Sequence, residues 1–415
     1  MVKEIAVSSG EHIGVVGPGI LSVKSGSLWY LGTNIMSGNE IIVPKGKMLV
    51  FRVLSDSEIN TNVKEIKKID KNPIPEEWTR VIDRIADERL EKVMVLGAPD
   101  TGKSTFSLLA SNLLVTRGRK VAVIDSDVGQ SDVGPPCTVG MTILREQVID
   151  FSECPLECSY FVGSNSPSKH LLQVVVGVRK CLDTSSMMAD HSIIDTSGMV
   201  FGGVARALKI FKADVVEPDL IVALQRGNEI EHILSQLPYE IERIPVSELC
   251  RRTSPEERRF LRERSLIRYF EGCKEIEISL EDVKVSRCFL WSGKPISIDE
   301  LEHDVEIVHA EKNEDMVLII YRGRIGREVL QYLKKRFEDK VRLVNERKLS
   351  GLLLGLSGSR GDLLGLGILT RIDFKGQKMR IRTKVNPEEI EVVQFGSMRL
   401  DENGREIEKL SPGFI

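Results

Sequence analysis

The stretch Val93-Met94-Val95-Leu96-Gly97-Ala98-Pro99-Asp100-Thr101-Gly102-Lys103-Ser104-Thr105 decides the fold. A short apolar run ends in glycine, the spacing G-x-x-x-x-G-K-[ST] follows, and Ser104–Thr116 reads as a helix that stops before Gly118. An apolar strand before and a helix after are the context a phosphate cradle needs. Glycines at 97 and 102 let the backbone curl so that consecutive N–H groups point inward. The helix N-terminus adds partial positive charge at the same spot. Lys103 would reach the β- and γ-phosphates of a bound nucleotide, and Ser104 would offer its hydroxyl to Mg²⁺.

Working outward, strands alternate with helices from about 86 to 285. Val121–Ile124, His191–Ile194 and Leu220–Leu224 are further apolar runs that do not alternate, which suggests a parallel sheet covered on both faces. Residues 1–85 have a different texture: short β-rich runs at Leu28–Leu31, Glu40–Val43 and Met48–Val53, broken by glycine turns, then a linker at Lys71-Asn72-Pro73-Ile74-Pro75. From 286 to 415 β signals return, at Val317–Ile320, Gly351–Leu356, Leu363–Leu369 and Ile390–Phe395. The expected fold is α/β: a central P-loop NTPase domain with a parallel sheet, flanked by a β-rich N-terminal domain and a smaller β-rich C-terminal domain.

Bulk properties exclude some functions. Lys+Arg at 58 against Asp+Glu at 61 leaves a net charge of −3, unlike a long, non-specific duplex binder, which needs a basic surface. Gripping one end of a nucleic acid needs only a few local cations. No apolar run approaches the roughly 18–20 residues that span a bilayer, and Met1–Gly10 lacks the pattern of a signal peptide. Seven scattered Cys read as reduced thiols in a cytoplasmic protein. The spacing Cys154-x-x-x-Cys158 lacks a second pair, the six histidines show no ligand spacing, and Lys47 reads as a surface lysine.

Two places offer a carboxylate beside the phosphates. Asp125 and Asp127 follow Val121–Ile124, and Asp195 follows the strand ending at Ile194, in Asp195-Thr196-Ser197-Gly198. Both are strand C-termini, where open α/β sheets bind ligands. Gly129 leaves the loop after Asp127 room to approach a substrate. Asp195 heads a D-x-x-G string such as GTPases carry, without a guanine-reading N-K-x-D downstream.

Residues 251–272 hold seven arginines, and the spacing predicts a helix. Ser254 serves as N-cap, Pro255 suits the first position, Glu257 completes a capping box, and Gly272 stops it. Arg258 and Arg262 share a face, with Arg259 one step round. Like charges side by side suit a lid that neutralises a moving phosphoryl group, although a solvated helix face has the same spacing.

With these motifs the chain resembles the polynucleotide 5′-hydroxyl kinases, the family of the RNA kinase of the eukaryotic pre-mRNA cleavage factor, its ribosomal-RNA-processing relative and archaeal homologues. The resemblance covers nearly the whole chain. Gly97–Thr105 is similar to the family's Walker A segment, and Asp127-Val128-Gly129-Gln130 to its Walker B segment. That match implies Asp127 as catalytic carboxylate and metal-side group with Ser104, and Gln130 near the acceptor. Asp195-Thr196-Ser197-Gly198 is similar to the loop holding the acceptor's first nucleotide, so Thr196 and Gly198 join the substrate site; Met199 stands where the family often has an aromatic residue. Ser164–Lys169 falls at the family's substrate clasp, with Ser166 and Ser168 departing from its usual string. Arg259-Phe260-Leu261-Arg262 matches the lid's R-x-x-R.

The resemblance implies ATP-dependent transfer of the γ-phosphoryl group to the 5′-hydroxyl of RNA, with DNA ends as further candidates. It implies ATP and Mg²⁺ or another divalent cation as cofactors, and RNA-processing proteins as candidate partners. Lys103, Asp127, Arg259 and Arg262 are then the catalytic set. A GTPase or ATPase switch built on Asp195, a small-metabolite kinase and a nucleotide-bound scaffold are the rival readings.

Overall fold

In the computed structural model, which describes residues 2–297, 305–338 and 340–415, the chain divides into two units. One comprises Met1–Asp127, Met141–Glu157 and Val178–Thr253; the other comprises Val128–Gly140, Cys158–Gly177 and Ser254–Ile415.

The first unit begins with β1 (Lys3–Val7), β2 (His12–Val16), β3 (Gly19–Tyr30), β4 (Thr33–Met36), β5 (Glu40–Val43), β6 (Met48–Thr61) and β7 (Glu65–Ile69). They form one sheet in the order β4-β3-β6-β2-β7, with β1 on β6 and β5 on β3. Side chains alternate across it as the pleat demands: Leu49, Phe51 and Val53 of β6 are buried, while Arg52 and Leu54 are exposed. The β3–β6 ladder is bulged at three points, and bulges bend long strands.

The chain continues through α1 (Glu76–Asp87), β8 (Lys92–Gly97), α2 (Lys103–Thr116), β9 (Val121–Ser126), β10 (Thr138–Leu144), β11 (Cys158–Phe161), α3 (Leu171–Ser185), β12 (His191–Thr196), α4 (Gly203–Val216), β13 (Leu220–Gln225), α5 (Glu231–Leu234) and β14 (Ile241–Pro245). In the first unit the strand order is β10-β9-β12-β8-β13-β14. The pairs β9–β12, β12–β8, β8–β13 and β13–β14 are parallel, as the unbroken apolar runs predict. Val93–Leu96, Val121–Ile124 and Leu220–Leu224 are buried throughout, so both faces are covered. Gly97, Ser126, Thr196 and Gln225 end their strands at one edge, which is where the chain can gather polar groups without breaking the core.

The N-terminal sheet is tied to the P-loop helix through one buried side chain. Asn112 of α2 donates from Nδ2 to the carbonyls of Leu31 (2.8 Å) and Val148 (2.9 Å), and its Oδ1 accepts from the Val148 N–H (2.9 Å). Gly32 is required beside it: a Cβ there would lie 2.7 Å from Asn112 Cβ, at φ +89°.

The second unit carries α6 (Pro255–Phe270), β15 (Lys274–Ser279), β16 (Lys284–Ser286), β17 (Lys294–Pro295), β18 (Glu306–Lys312), β19 (Val317–Arg322), α7 (Arg327–Arg336), β20 (Val341–Asn345), β21 (Leu352–Ser357), β22 (Leu363–Asp373), β23 (Lys378–Thr383), β24 (Val392–Leu400) and β25 (Glu406–Lys409). One sheet runs β15-β23-β22-β21-β24-β16 with β25 on β24; a second runs β17-β18-β19-β20. Helix α7 was not anticipated from the β-rich texture. It connects β19 to β20, which pair in parallel, and a parallel pair needs such a crossover.

Candidate active site

The P-loop is built from residues that tolerate unusual backbone. Asp100 has φ +58° and Gly102 φ +88°, so the loop twice enters the left-handed region before α2 begins at Lys103. Gly97 is fixed by crowding: a Cβ would meet Thr101 Oγ1 at 2.4 Å and the Leu224 carbonyl at 2.8 Å. Thr101 is buried and donates to the Ala98 carbonyl at 3.0 Å, closing the loop on itself. Pro99 packs against the next strand tip, since a Cβ on Gly198 would lie 2.8 Å from Pro99 N and Cα. Ser104 and Thr105 are exposed in the first turn of α2.

Lys103 is buried, and its Nζ donates to the Ala98 carbonyl at 2.8 Å. Burial pulls its pKa down, while Asp195, Asp127 and Asp100 hold it up. Asp195, at the end of β12, is also buried. Desolvation raises its pKa, opposed first by Lys103 and then by a hydrogen bond from the Ser104 hydroxyl. Its Oδ1, and Oγ of buried Ser197 beside it, have no hydrogen-bond partner. Buried polar atoms seldom go unpaired, so these two can each take a further partner. Asp127 is half-buried, and its N–H is held by Asp125 Oδ1 at 2.8 Å. Thr196 Oγ1 is turned into the sheet, donating to the Val95 carbonyl at 2.7 Å. Gly97–Thr105, Asp127, Thr196 and Gly198 thus assemble at one edge of the first unit, with Asp195 added to them.

Three cations of this unit escape a reading of motifs. Arg226, just past β13, donates from Nη2 to the Asp100 carbonyl. Lys209 and Lys212 of α4 are fully buried. Lys209 Nζ donates to the Ser197 carbonyl, and Lys212 Nζ to Ser126 Oγ at 2.6 Å. Burial depresses both, Lys212 to about 8 and Lys209 well below the ordinary lysine range. The signal for the pair was present: α4 buries Ala205, Leu208, Ala213 and Val216, and positions 209 and 212 lie on that same stripe. Arg226 follows an apolar strand at its ligand-binding end, the position already weighed for the aspartates.

Gln130, Ser166, Arg259 and Arg262 belong to the second unit. Gln130 is exposed. Ser166 precedes a short 3-10 turn, and its hydroxyl lies 3.2 Å from that of Ser168. Helix α6 starts as the sequence predicts, with Ser254 and Glu257 forming a reciprocal capping box and Pro255 in the first turn. Its C-terminal half is anchored: Leu266 and Phe270 are buried with Leu353, Leu366, Met398 and Leu400, and Tyr269 Oη accepts the Leu366 N–H at 2.9 Å. Arg259 and Phe260, nearer its start, are exposed, while Arg262 is half-buried. All seven cysteines are free thiols. Lys47 Nζ lies 3.9 Å from Asp150 and is half exposed. Among the described residues, no helix is long and apolar enough to cross a membrane.

A left-handed loop that closes on its own carbonyl, a buried lysine at a helix start and carboxylates on neighbouring strand tips define a P-loop nucleotide-binding protein. Its particular family follows from comparison. The profile of the mRNA cleavage and polyadenylation factor CLP1 P-loop matches residues 97–272. The polyribonucleotide 5′-hydroxyl-kinase of Pyrococcus furiosus is 34% identical over 341 residues, which are 80% of this chain and 95% of the relative. That of Methanocaldococcus jannaschii is 31% identical over 80% of this chain and 94% of its own. The Clp1 kinase of Xenopus tropicalis is 28% identical over 55% and 57%. The solved wild-type Clp1p–Pcf11p complex shares the fold, with TM-score 0.63 at 12% identity over 96% of this chain and 98% of that one. The chain belongs to the polyribonucleotide 5′-hydroxyl-kinase family.

Proposed function

We propose that this protein transfers the γ-phosphoryl group of ATP to the 5′-hydroxyl of a polyribonucleotide. The observation that carries the reading is the convergence on Lys103 of carboxylates from three segments: Asp195 and Asp127 from two strand tips and Asp100 from the loop itself. One lysine facing several carboxylates is suited to a polyphosphate and a divalent cation, and the named activity of the relatives supplies the acceptor.

The residues fit Mg²⁺ or a similar hard cation: Ser104 and Asp127 offer oxygen ligands, and the unpartnered Asp195 Oδ1 offers another. When bound, such an ion neutralises charge on the phosphate oxygens. The chain does the rest. Backbone N–H groups of residues 97–103 hold the β-phosphate, and Lys103 exchanges the Ala98 carbonyl for phosphate oxygens. Asp127 takes the proton of the attacking hydroxyl. Arg259 and Arg262 neutralise the transferring group. Gln130, Ser166, Thr196 and Gly198 form the acceptor side. Recognition through one or two terminal nucleotides suits a chain of net charge −3. DNA ends remain candidate acceptors beside RNA.

Incubation with γ-labelled ATP and matched 5′-hydroxyl RNA and DNA oligonucleotides tests the reading. Label on the RNA is expected, and it falls by about 10³-fold or more in Lys103→Ala and in the Arg259→Ala/Arg262→Ala double variant. Release of free phosphate that ignores the oligonucleotide would replace the kinase by a nucleotide switch. Bound nucleotide without turnover would replace it by a scaffold.

A further inference from the structure

We propose that Lys209 and Lys212 are positioning residues for phosphoryl transfer, fixing the two strand-end loops that carry Asp127 and Asp195. The proposal deepens the kinase reading above and rests on it for its kinetic arm only.

Both lysines sit on the core side of α4, at 0% exposure. Burying an ammonium costs several kcal/mol unless hydrogen bonds and opposite charge repay it, and a well-packed apolar side chain is often as stable or more so. A pair of buried cations three residues apart on one helix face is therefore a poor device for stability alone. Their partners show where they act. Lys209 Nζ grips the main-chain carbonyl of Ser197, two residues past Asp195 in the loop Asp195-Thr196-Ser197-Gly198. Lys212 Nζ donates to Ser126 Oγ at 2.6 Å, and Ser126 Oγ donates onward to the Asp195 carbonyl at 2.7 Å. Ser126 is the residue before Asp127. A chain of three groups, Lys212–Ser126–Asp195, thus joins the tip of β9 to the tip of β12, while Lys209 holds the turn that follows β12.

The surrounding charges point the same way. Asp127 and Asp195 face both lysines, and Asp125 also faces Lys212; Lys103 is the further cation beside Lys209. Three carboxylates gathered at one strand edge repel one another, and the only fully buried lysines among the described residues lie behind them. A general base must be held within hydrogen-bond reach of the proton it takes, and small displacements are expensive in rate. Neither amine needs to touch the substrate to act in this way.

Lys209→Met and Lys212→Met keep the aliphatic stem and remove the amine. Each is expected to lower kcat at least about tenfold while the Kd for ATP stays within about threefold, because the P-loop itself is untouched. Amide hydrogen exchange in the absence of any acceptor is expected to show faster exchange across residues 195–203 in Lys209→Met and across 125–127 and 195–198 in Lys212→Met. Ser126→Ala should reproduce the Lys212→Met defect, and the Ser126→Ala/Lys212→Met double variant should lose no more than either single one, as groups acting in series do. Where a Met variant fails to fold, Lys209→Gln or Lys212→Gln and Ser126→Ala carry the same measurements. Unchanged exchange in both loops overturns the proposal whether or not the wild type phosphorylates RNA. So does a rate loss matched by an equal loss of ATP affinity, or a double variant whose defects multiply. Failure of the wild type to label RNA, with the loops loosened in the variants, would instead sink the kinase reading and leave the positioning role standing.

Discussion

The carboxylate of Asp100 binds Thr253 twice, accepting its main-chain N–H at 2.7 Å and its hydroxyl at 3.1 Å. Asp100 is the left-handed residue of the phosphate loop, and Thr253 is the residue immediately before the N-cap of the arginine helix. The P-loop therefore also holds the point from which that helix departs in the chain. Asp100→Ala removes both hydrogen bonds and places alanine at φ +58°, where a Cβ is strained. Together these should cost about 3–4 kcal/mol, from roughly 1 kcal/mol per hydrogen bond and 1–2 for the backbone. Asp100→Asn, which tolerates that backbone and keeps one acceptor, should lose less than half as much. Denaturant unfolding of the three proteins checks the order, and turnover should fall in the same order.

Gly198 makes a second demand of this kind without a positive φ. Its Cα lies so close to Pro99 that a methyl group would approach backbone atoms at 2.8 Å. Backbone cannot swing aside as a side chain can, so Gly198→Ala must push the phosphate loop or the Asp195 loop. ATP binding is expected to weaken about tenfold or more, on the scale of an overpacked site. Isothermal titration with a non-hydrolysable ATP analogue reads this directly. Binding at wild-type strength would mean that the two loops are not packed as tightly as the contact implies.

Asp127 and Asp195 should separate by function. Ser104 hydrogen-bonds Asp195, whose Oδ1 has no partner, which favours the larger share of the metal for Asp195 and the acceptor proton for Asp127. Asp195→Asn should raise the Mg²⁺ concentration needed for half-maximal rate. Asp127→Asn should lower kcat by about 10²–10⁴-fold and raise that requirement less than Asp195→Asn does. A Mg²⁺ titration of both variants decides the assignment, and the reverse pattern would exchange the two roles.

The conformation of the P-loop was legible because it is local. A strand, a glycine loop and a helix start lie within nine residues of Gly97–Thr105, and their geometry follows from backbone sterics that sequence spacing encodes directly. The capping box of α6 was legible for the same reason, resting on Ser254 and Glu257 three residues apart. What stayed hidden depends on contacts across the chain. Nothing near Asp100 announces Thr253, nor does anything near Asn112 announce Leu31. Lys209 and Lys212 were passed over because lysines on a helix are ordinarily solvated, although their positions fall on the apolar stripe of α4. Helix α7 was missed because its ten residues, Arg327–Arg336, are mostly polar, and only its crossover role between parallel strands shows why it forms.

Lys212 also makes a prediction for stability, whose sign follows from burial. Its folded pKa is lowered to about 8 from an ordinary value of 10.5. Below about 8 the amine is charged in both folded and unfolded chains, and the folded state bears the full cost of the buried charge. Between 8 and 10.5 the unfolded chain binds the proton and the folded chain does not, so stability from this group rises with pH. Above 10.5 the cost has gone. Lys212→Met never carries the charge, so its stability advantage over wild type should be largest near pH 7, on the order of a few kcal/mol, and should shrink toward pH 10. Denaturant unfolding of both proteins at pH 7 and pH 9.5 measures the change. A difference that stayed constant or widened with pH would mean that the folded core does not lower the pKa of the amine, so that its charge carries no net cost there.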